Sequence, residues 1–231
     1  MIDSATITDT IRQSVSAAEA DHRNTYGGQP MKFSVIIPAH NSAAYIERGL
    51  QSIASQHFTD YELIVVCDRC SDNTEEVAKR YGAKTVCVDY GLDGMARNKG
   101  LDMAQGEWVL FMDDDDWFLH EYVFDQLAET VGKHGEDMLF FSFIWKGVGY
   151  TRHTADKSYI AVWSKCWRRA YIGDTRFPPV PYWSDVEFCR EMSKKKGVAA
   201  FWDMPMYYYN YLREGSISWM KDQGMIEGSE T

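Results

Sequence analysis

The sequence predicts an α/β domain with a mostly parallel central sheet flanked by helices, and three observations carry that expectation. Short apolar runs alternate with segments of helical period from Lys32 onward. The runs are apolar at nearly every position rather than at alternate ones, which marks strands buried on both faces. Polar and mostly acidic residues gather just after the runs, at the carboxyl ends where ligands sit in sheets of this kind.

The first run, "FSVIIP", is a strand ended by Pro38, and "AAYIERGLQSIASQ" follows with Tyr45, Ile46, Leu50 and Ile53 at helical spacing. "YELIVV" is a second buried strand, followed by a polar loop and the helix "TEEVAKRY", closed by Gly82. "KTVCV" reads as a third buried strand, and "DYGLDG" leads into the helix "MARNKGLDMAQ", which Gly106 stops. "EWVLFM" is a fourth strand and runs into four consecutive aspartates, Asp113 to Asp116. "HEYVFDQLAETVGKH" is then a helix and "DMLFFSFIW" a strand. The aromatic-rich C-terminal third offers "SYIAVW", the turn "GDTRFPPVPYW", the helix "DVEFCREMSKKKG" and the strand "PMYYYNYL". Residues 1–31 form an extension with one amphipathic stripe (Ile7, Ile11, Val15), and 219–231 read as a mobile tail.

A chain of 231 residues with a net charge of −10 suits one large domain and argues against broad electrostatic binding to nucleic acid or an anionic membrane. A local basic pocket for a phosphorylated ligand remains compatible with that balance. The N-terminus lacks a basic n-region and an apolar h-region, and no run is long enough to span a bilayer. Five cysteines, an odd number, then read as reduced thiols of a cytoplasmic protein. The C-x-x-C of Cys67 and Cys70 has no second ligand pair to complete a zinc site. The first turn, "PAHNSAAY", contains no glycine, which argues against a dinucleotide fingerprint, and no P-loop pattern occurs.

Carboxylates at several strand ends would face one crevice and repel each other. The simplest remedy is a hard divalent cation, Mg²⁺ or Mn²⁺, which commonly also binds substrate phosphates. In an extended segment Asp113 and Asp115 would face one way, Asp114 and Asp116 the other. Helix capping is the competing account for one or two of the four, with Asp116 before "WFLHEY" the best placed.

Four segments in order, "FSVIIPAHNSAAYIERGLQSIASQ", "YELIVVCDRCSDNTEEVAKRYGA", "ARNKGLDMAQGEWVLFMDDDDWF" and "YWSDVEFCREM", resemble glycosyltransferase family 2, whose members have the GT-A fold. The similarity spans about Lys32 to Ser218 and divides the domain into a nucleotide-sugar half, 32–118, and an acceptor half, 119–218. The resemblance implies that Pro38, Ala39 and His40 border the nucleotide base. It implies a base contact for Asp68, although the usual aspartate pair reads Cys67-Asp68 here, and places Arg97 near the nucleotide-sugar. Of the D-x-D motif, Asp113 would lie towards ribose and metal and Asp115 on metal and diphosphate. Asp114 would fill the variable middle of the donor site, and Asp116 would start the next helix. Asp185 would be the general base, with Glu187 in reserve, and Ser184-x-x-Glu187 also has the form of a capping box. Arg213 and Ser216 would bind phosphate as the closing segment orders. No histidine follows His153, so a late metal ligand found in some such enzymes is missing. Trp163 and Trp183 are candidates to stack on a sugar acceptor, against ordinary core packing.

The activity implied is inverting, metal-dependent transfer from a nucleotide-diphosphate sugar to an acceptor hydroxyl, with a UDP-sugar favoured as donor and GDP-mannose the alternative. The acceptor stays open among polysaccharide, lipid-linked sugar reached from the membrane periphery, protein and a modified nucleobase. Two rival readings are a sugar-phosphate nucleotidyltransferase, which would want a basic glycine-rich loop after the first strand, and a non-catalytic nucleotide-sugar-binding relative.

Overall fold

In the computed structural model, residues 31–151 and 161–226 are described. The first half comprises β1 (Phe33–Ala39), α1 (Ile46–Ala54), β2 (Tyr61–Asp68), α2 (Thr74–Arg80), β3 (Lys84–Val88), α3 (Asp93–Met103) and β4 (Trp108–Phe111). The second comprises β5 (Trp117–Phe118), α4 (Val123–Thr130), β6 (Met138–Trp145), β7 (Gly149–Thr151), β8 (Lys165–Arg168), α5 (Arg169–Ile172), α6 (Ser184–Lys194), β9 (Ala199–Tyr209) and α7 (Ile217–Asp222). The strand order is β3-β2-β1-β4-β8-β6-β9-β5, with β7 paired on β6. β3, β2, β1 and β4 run parallel, β8 is antiparallel to both β4 and β6, and β6 and β9 are parallel to each other.

Every residue of β1 is buried, because successive side chains enter two different cores. Val35 and Ile37 join Leu50 and Ile53 of α1 on one face, while Ile36 meets Ala96 and Leu101 of α3 on the other. Each fully buried Val or Ile contributes about 1.5–3 kcal/mol relative to exposure, which explains the unbroken apolar runs. Helix α1 forms because Ile46, Leu50 and Ile53 share one stripe. Helix α3 is held differently, by close approach: a Cβ on Gly100 would come within 2.3 Å of Ile36 Cγ2.

Several elements depart from the sequence expectation. β3 lies at the outer edge of the sheet and is only partly buried, so Val86 and Val88 pack on one face while Lys84 and Cys87 are exposed. In place of a strand in "SYIAVW", Val162–Ser164 form a 3-10 turn and the strand follows at Lys165–Arg168. The charged ends of β8 conceal a strand whose Lys165 is buried. The helix expected from His120 begins at Val123. Helix α7 runs through 217–222 and so occupies the start of the expected tail. The N-terminal amphipathic stripe and His153 lie outside the described residues. No helix among the described residues is long and apolar enough to cross a membrane.

Candidate active site

Strand order reverses between β1 and β4, and the carboxyl ends of these two neighbours open a crevice at that switch point. A cleft of about 700 Å³ occupies it. Pro38 and Ala39 at the end of β1 and His40 just after it enter its wall, and Asp113, Asp114 and Asp115 follow β4. Arg97 comes from α3, Asp185 and the preceding Trp183 from the start of α6, and Arg213 from the segment after β9.

The four aspartates form a turn, closed by the Asp116 N–H donating to the Asp113 carbonyl at 3.2 Å, so the alternation expected of an extended segment does not hold. Each carboxylate consequently has its own partner. Asp113 Oδ1 accepts from Arg97 Nη2 at 2.7 Å. Asp114 accepts from the Ser42 hydroxyl and from the His40 N–H, which joins the turn to the loop after β1. Asp115 Oδ2 accepts from Arg213 Nε at 2.6 Å. Asp116 points into the core, where Tyr207 and Asn210 satisfy it, and β5 follows rather than a helix; it caps nothing. Asp114 is likewise no spacer. Burial, reinforced by the charge of Asp115, pushes its carboxyl up to about 7. Burial also raises Asp115 against the pull of Arg213, and raises Asp116 well above the usual carboxylate range.

Arg97 is the centre of charge. Its Nη1 donates to Asp93 Oδ2 at 2.5 Å, and its guanidinium lies against the Phe177 ring, 5.7 Å from the centroid. Burial opposes its charge, but Asp93, Asp113 and Asp185 together hold its pKa above the ordinary arginine value. Two contacts bring the start of α6 and the loop before it against α3. A Cβ on Gly94 would come within 2.7 Å of Ser184 Cβ, and Asn98 exchanges two 2.8 Å hydrogen bonds with the backbone of Phe177. The Ser184 hydroxyl donates to Asp93 Oδ1 at 3.0 Å, so it does not form the expected capping box. The N-cap position is taken by Trp183, which has a left-handed backbone (φ 63°). For a bulky residue that conformation costs on the order of 1–2 kcal/mol, which the α3–α6 contact must offset. Asp185 therefore faces the cleft from a clamped helix end. Burial raises its carboxyl to about 6, with Arg97 pulling it down and Asp113 and Asp93 pushing it up.

Asp185, with its raised carboxyl, thus lines the same cleft as the paired aspartate–arginine cluster. The model of the family described as Glycosyl transferase family 2 matches residues 34–185. The chain belongs to glycosyltransferase family 2. Its poly(ribitol-phosphate) β-N-acetylglucosaminyltransferase relative TarS, of Staphylococcus aureus, is 38% identical over 126 residues, which cover 51% of this chain and 22% of TarS. The crystal structure of S. aureus TarS 1–349 in complex with UDP-GlcNAc is 28% identical, with a TM-score of 0.73 over 80% of this chain and 60% of that one. The mannosyltransferase PcManGT of Pyrobaculum calidifontis, in complex with GDP-Man and Mn²⁺, is 14% identical, and it shares the fold with a TM-score of 0.66 over 97% of this chain and 76% of that one. The fold is the GT-A fold. The chain thus spans less than a quarter of the full-length curated TarS.

The remaining expected site residues of this family 2 chain fall into two groups. Trp163 and Ser216 reach the cleft wall, but Trp163 is buried and stacked between Tyr207 and Tyr209, with centroids 4.9 and 4.7 Å away. The Ser216 hydroxyl accepts from the Trp219 N–H as the N-cap of α7. Asp68 lines the cleft, yet its carboxylate accepts three backbone N–H groups, from Tyr90, Gly91 and Leu92 at 2.8–3.0 Å. It shapes the loop that launches α3. Glu187 does not line the cleft and pairs with Arg190 at 2.6 Å, which removes it as a reserve base. Asp93 is one of the acidic strand-end residues the sequence placed towards the crevice, and its partner there is Arg97. Ser42 and Tyr45 were missed by sequence reasoning, and only the order hydroxyl-then-aromatic after β1 hinted at them.

No group of three or more His, Cys, Asp or Glu side chains among the described residues could cage a metal ion. Asp113 and Asp115 present hard oxygens to the cleft, and both are now paired with arginines. That donor set fits a divalent cation whose other ligands come from a bound diphosphate and water, as is usual for Mg²⁺.

Proposed function

We propose that the protein transfers a sugar, with inversion, from a nucleotide-diphosphate sugar to an acceptor hydroxyl, and that the donor is a UDP-sugar. The carrying observation is that Arg97, Arg213, the aspartate turn and Asp185, whose carboxyl is raised to about 6, all line one cleft. The UDP-GlcNAc complex of the TarS fragment favours a uridine donor.

Asp185 accepts the proton of the acceptor hydroxyl as that oxygen forms a bond to the anomeric carbon. The bond from that carbon to the diphosphate oxygen breaks on the opposite side, and the diphosphate leaves with the electron pair. Arg97 and Arg213 carry compensating charge beside it, at no reorganisation cost for Arg97, which is already held by Asp93 and Asp113. Asp113 and Asp115 would hold a Mn²⁺ or Mg²⁺, which supplies Lewis-acid neutralisation of the diphosphate when bound. Pro38, Ala39, His40 and Trp183 line the cleft; the first three would wall the base end, and Trp183 would border the acceptor end.

Nucleotide release from UDP-glucose, UDP-galactose, UDP-N-acetylglucosamine and GDP-mannose with Mn²⁺ present tests this reading. Turnover with at least one UDP-sugar is the expected result. No turnover and no binding with any donor would sink it.

A further inference from the structure

Behind the floor of the cleft lies a buried network that no step above uses. Asp116 is 1% exposed, and both of its oxygens are engaged. The Tyr207 hydroxyl donates to Oδ2 at 2.6 Å, and the Asn210 N–H donates to Oδ1 at 2.7 Å. The same Tyr207 oxygen accepts the Asp113 N–H at 3.2 Å. Tyr207 is fully buried, stacked on Trp163 at an interplanar angle of 10° and set edge-on to Phe118, so its hydroxyl has little freedom. Asn210 begins the segment that carries Arg213, and Arg213 reaches back to Asp115 while its guanidinium lies 4.0 Å from the Tyr45 ring centroid.

One carboxylate therefore touches both halves of the charge cluster from behind. It reaches the first residue of the aspartate turn through the Tyr207 hydroxyl, and the root of the arginine-bearing segment through a backbone N–H. Asp116 and Tyr207 thus join Asp113 to Asn210, which stand 97 positions apart in the chain. Core packing alone would be served by an apolar side chain here, because a buried carboxylate carries a desolvation cost that only specific partners offset.

We propose that Asp116 is a positioning residue for the donor diphosphate: through Tyr207 it sets the aspartate turn, and through Asn210 it sets the approach of Arg213, so that both meet one ligand. The inference rests on the donor-site reading above. Asp116 touches no substrate itself, and its effect passes through Asp113 and Arg213.

The test is calorimetric binding of UDP with Mn²⁺ to the unsubstituted protein, to Tyr207→Phe, Asp116→Asn and Arg213→Ala, and to the Tyr207→Phe/Arg213→Ala and Asp116→Asn/Arg213→Ala doubles. Tyr207→Phe and Asp116→Asn should each weaken UDP by about three- to tenfold, the usual net contribution of one hydrogen bond. Each double should lose clearly less than the product of its single losses, because part of each effect is misplacement of Arg213. A carboxylate that merely supports the core gives multiplicative losses or none, and either result overturns the proposal. Should Asp116→Asn fail to fold, the Tyr207→Phe cycle decides alone, since it removes one buried hydroxyl and keeps the ring. In turnover, donor KM should rise while the pH midpoint belonging to Asp185 stays in place. If the unsubstituted protein binds neither UDP nor GDP, the donor-site reading itself fails, and the positioning role falls with it.

Discussion

Replacing Asp185 with Asn removes a charge and keeps the shape, so it separates chemistry from packing. With the carboxyl at about 6, roughly nine-tenths is ionised at pH 7 and roughly one-tenth at pH 5. The ionised form is the base, so nucleotide release should rise about tenfold between pH 5 and 7 and then level off. Asp185→Asn should lower kcat by about 10²–10⁴-fold at pH 7, the usual contribution of a general base, while leaving UDP affinity nearly unchanged. Stability should move the other way. A carboxyl raised in the folded state contributes stability below its unfolded value, near 4, and that contribution is lost as the pH rises through about 6. At pH 7 the ionised form therefore carries a penalty of roughly 3 kcal/mol, an upper figure for a half-buried group. Asp185→Asn should accordingly show a higher Tm at pH 7 and no advantage below pH 4. Nucleotide release from the best donor and thermal melting, each from pH 4.5 to 8, measure both. An unchanged kcat in Asp185→Asn, or a flat profile from pH 5 to 7, would refute the base assignment; loss of UDP binding would move Asp185 to the donor site.

Asp114→Ala should weaken UDP binding by about 1–3 kcal/mol by calorimetry, because it frees the loop after β1 from the aspartate turn; unchanged affinity would restore Asp114 to a spacer. Arg97→Met leaves Asp93, Asp113 and Asp185 without their shared cation. It should cost about 3–5 kcal/mol of stability at pH 7 and less at pH 5, read by urea denaturation at the two values. Chelation with EDTA should abolish nucleotide release, and Mn²⁺ or Mg²⁺ should restore it; full activity in the chelator would remove the cation from Asp113 and Asp115.

Much of the first half was legible because its physics is local. Strands β1, β2 and β4 are buried on both faces, so each was written as an unbroken apolar run, and α1 was written as a stripe. The second half was harder. β8 contains a buried lysine, which finds the Ala161 carbonyl at 2.5 Å, and no apolar pattern announces such a strand. β3 failed differently: its composition matched its neighbours, and only its edge position left it half exposed.

By itself the sequence determined the alternation of elements, the family motifs and the place of Asp113 to Asp116 at a strand end, and the resemblance pointed to Arg97, Asp185 and Arg213. Only the tertiary structure decided what each carboxylate does. Four adjacent aspartates are chemically identical in one dimension, and a turn rather than an extended run sends them to Arg97, Ser42, Arg213 and Tyr207 in succession. Three of those partners lie 72 to 98 positions away and reach the turn only when β1, β9 and the segment after β9 converge on the end of β4. The charge state of an acid follows from burial and from the partners that meet it, and both are properties of that convergence.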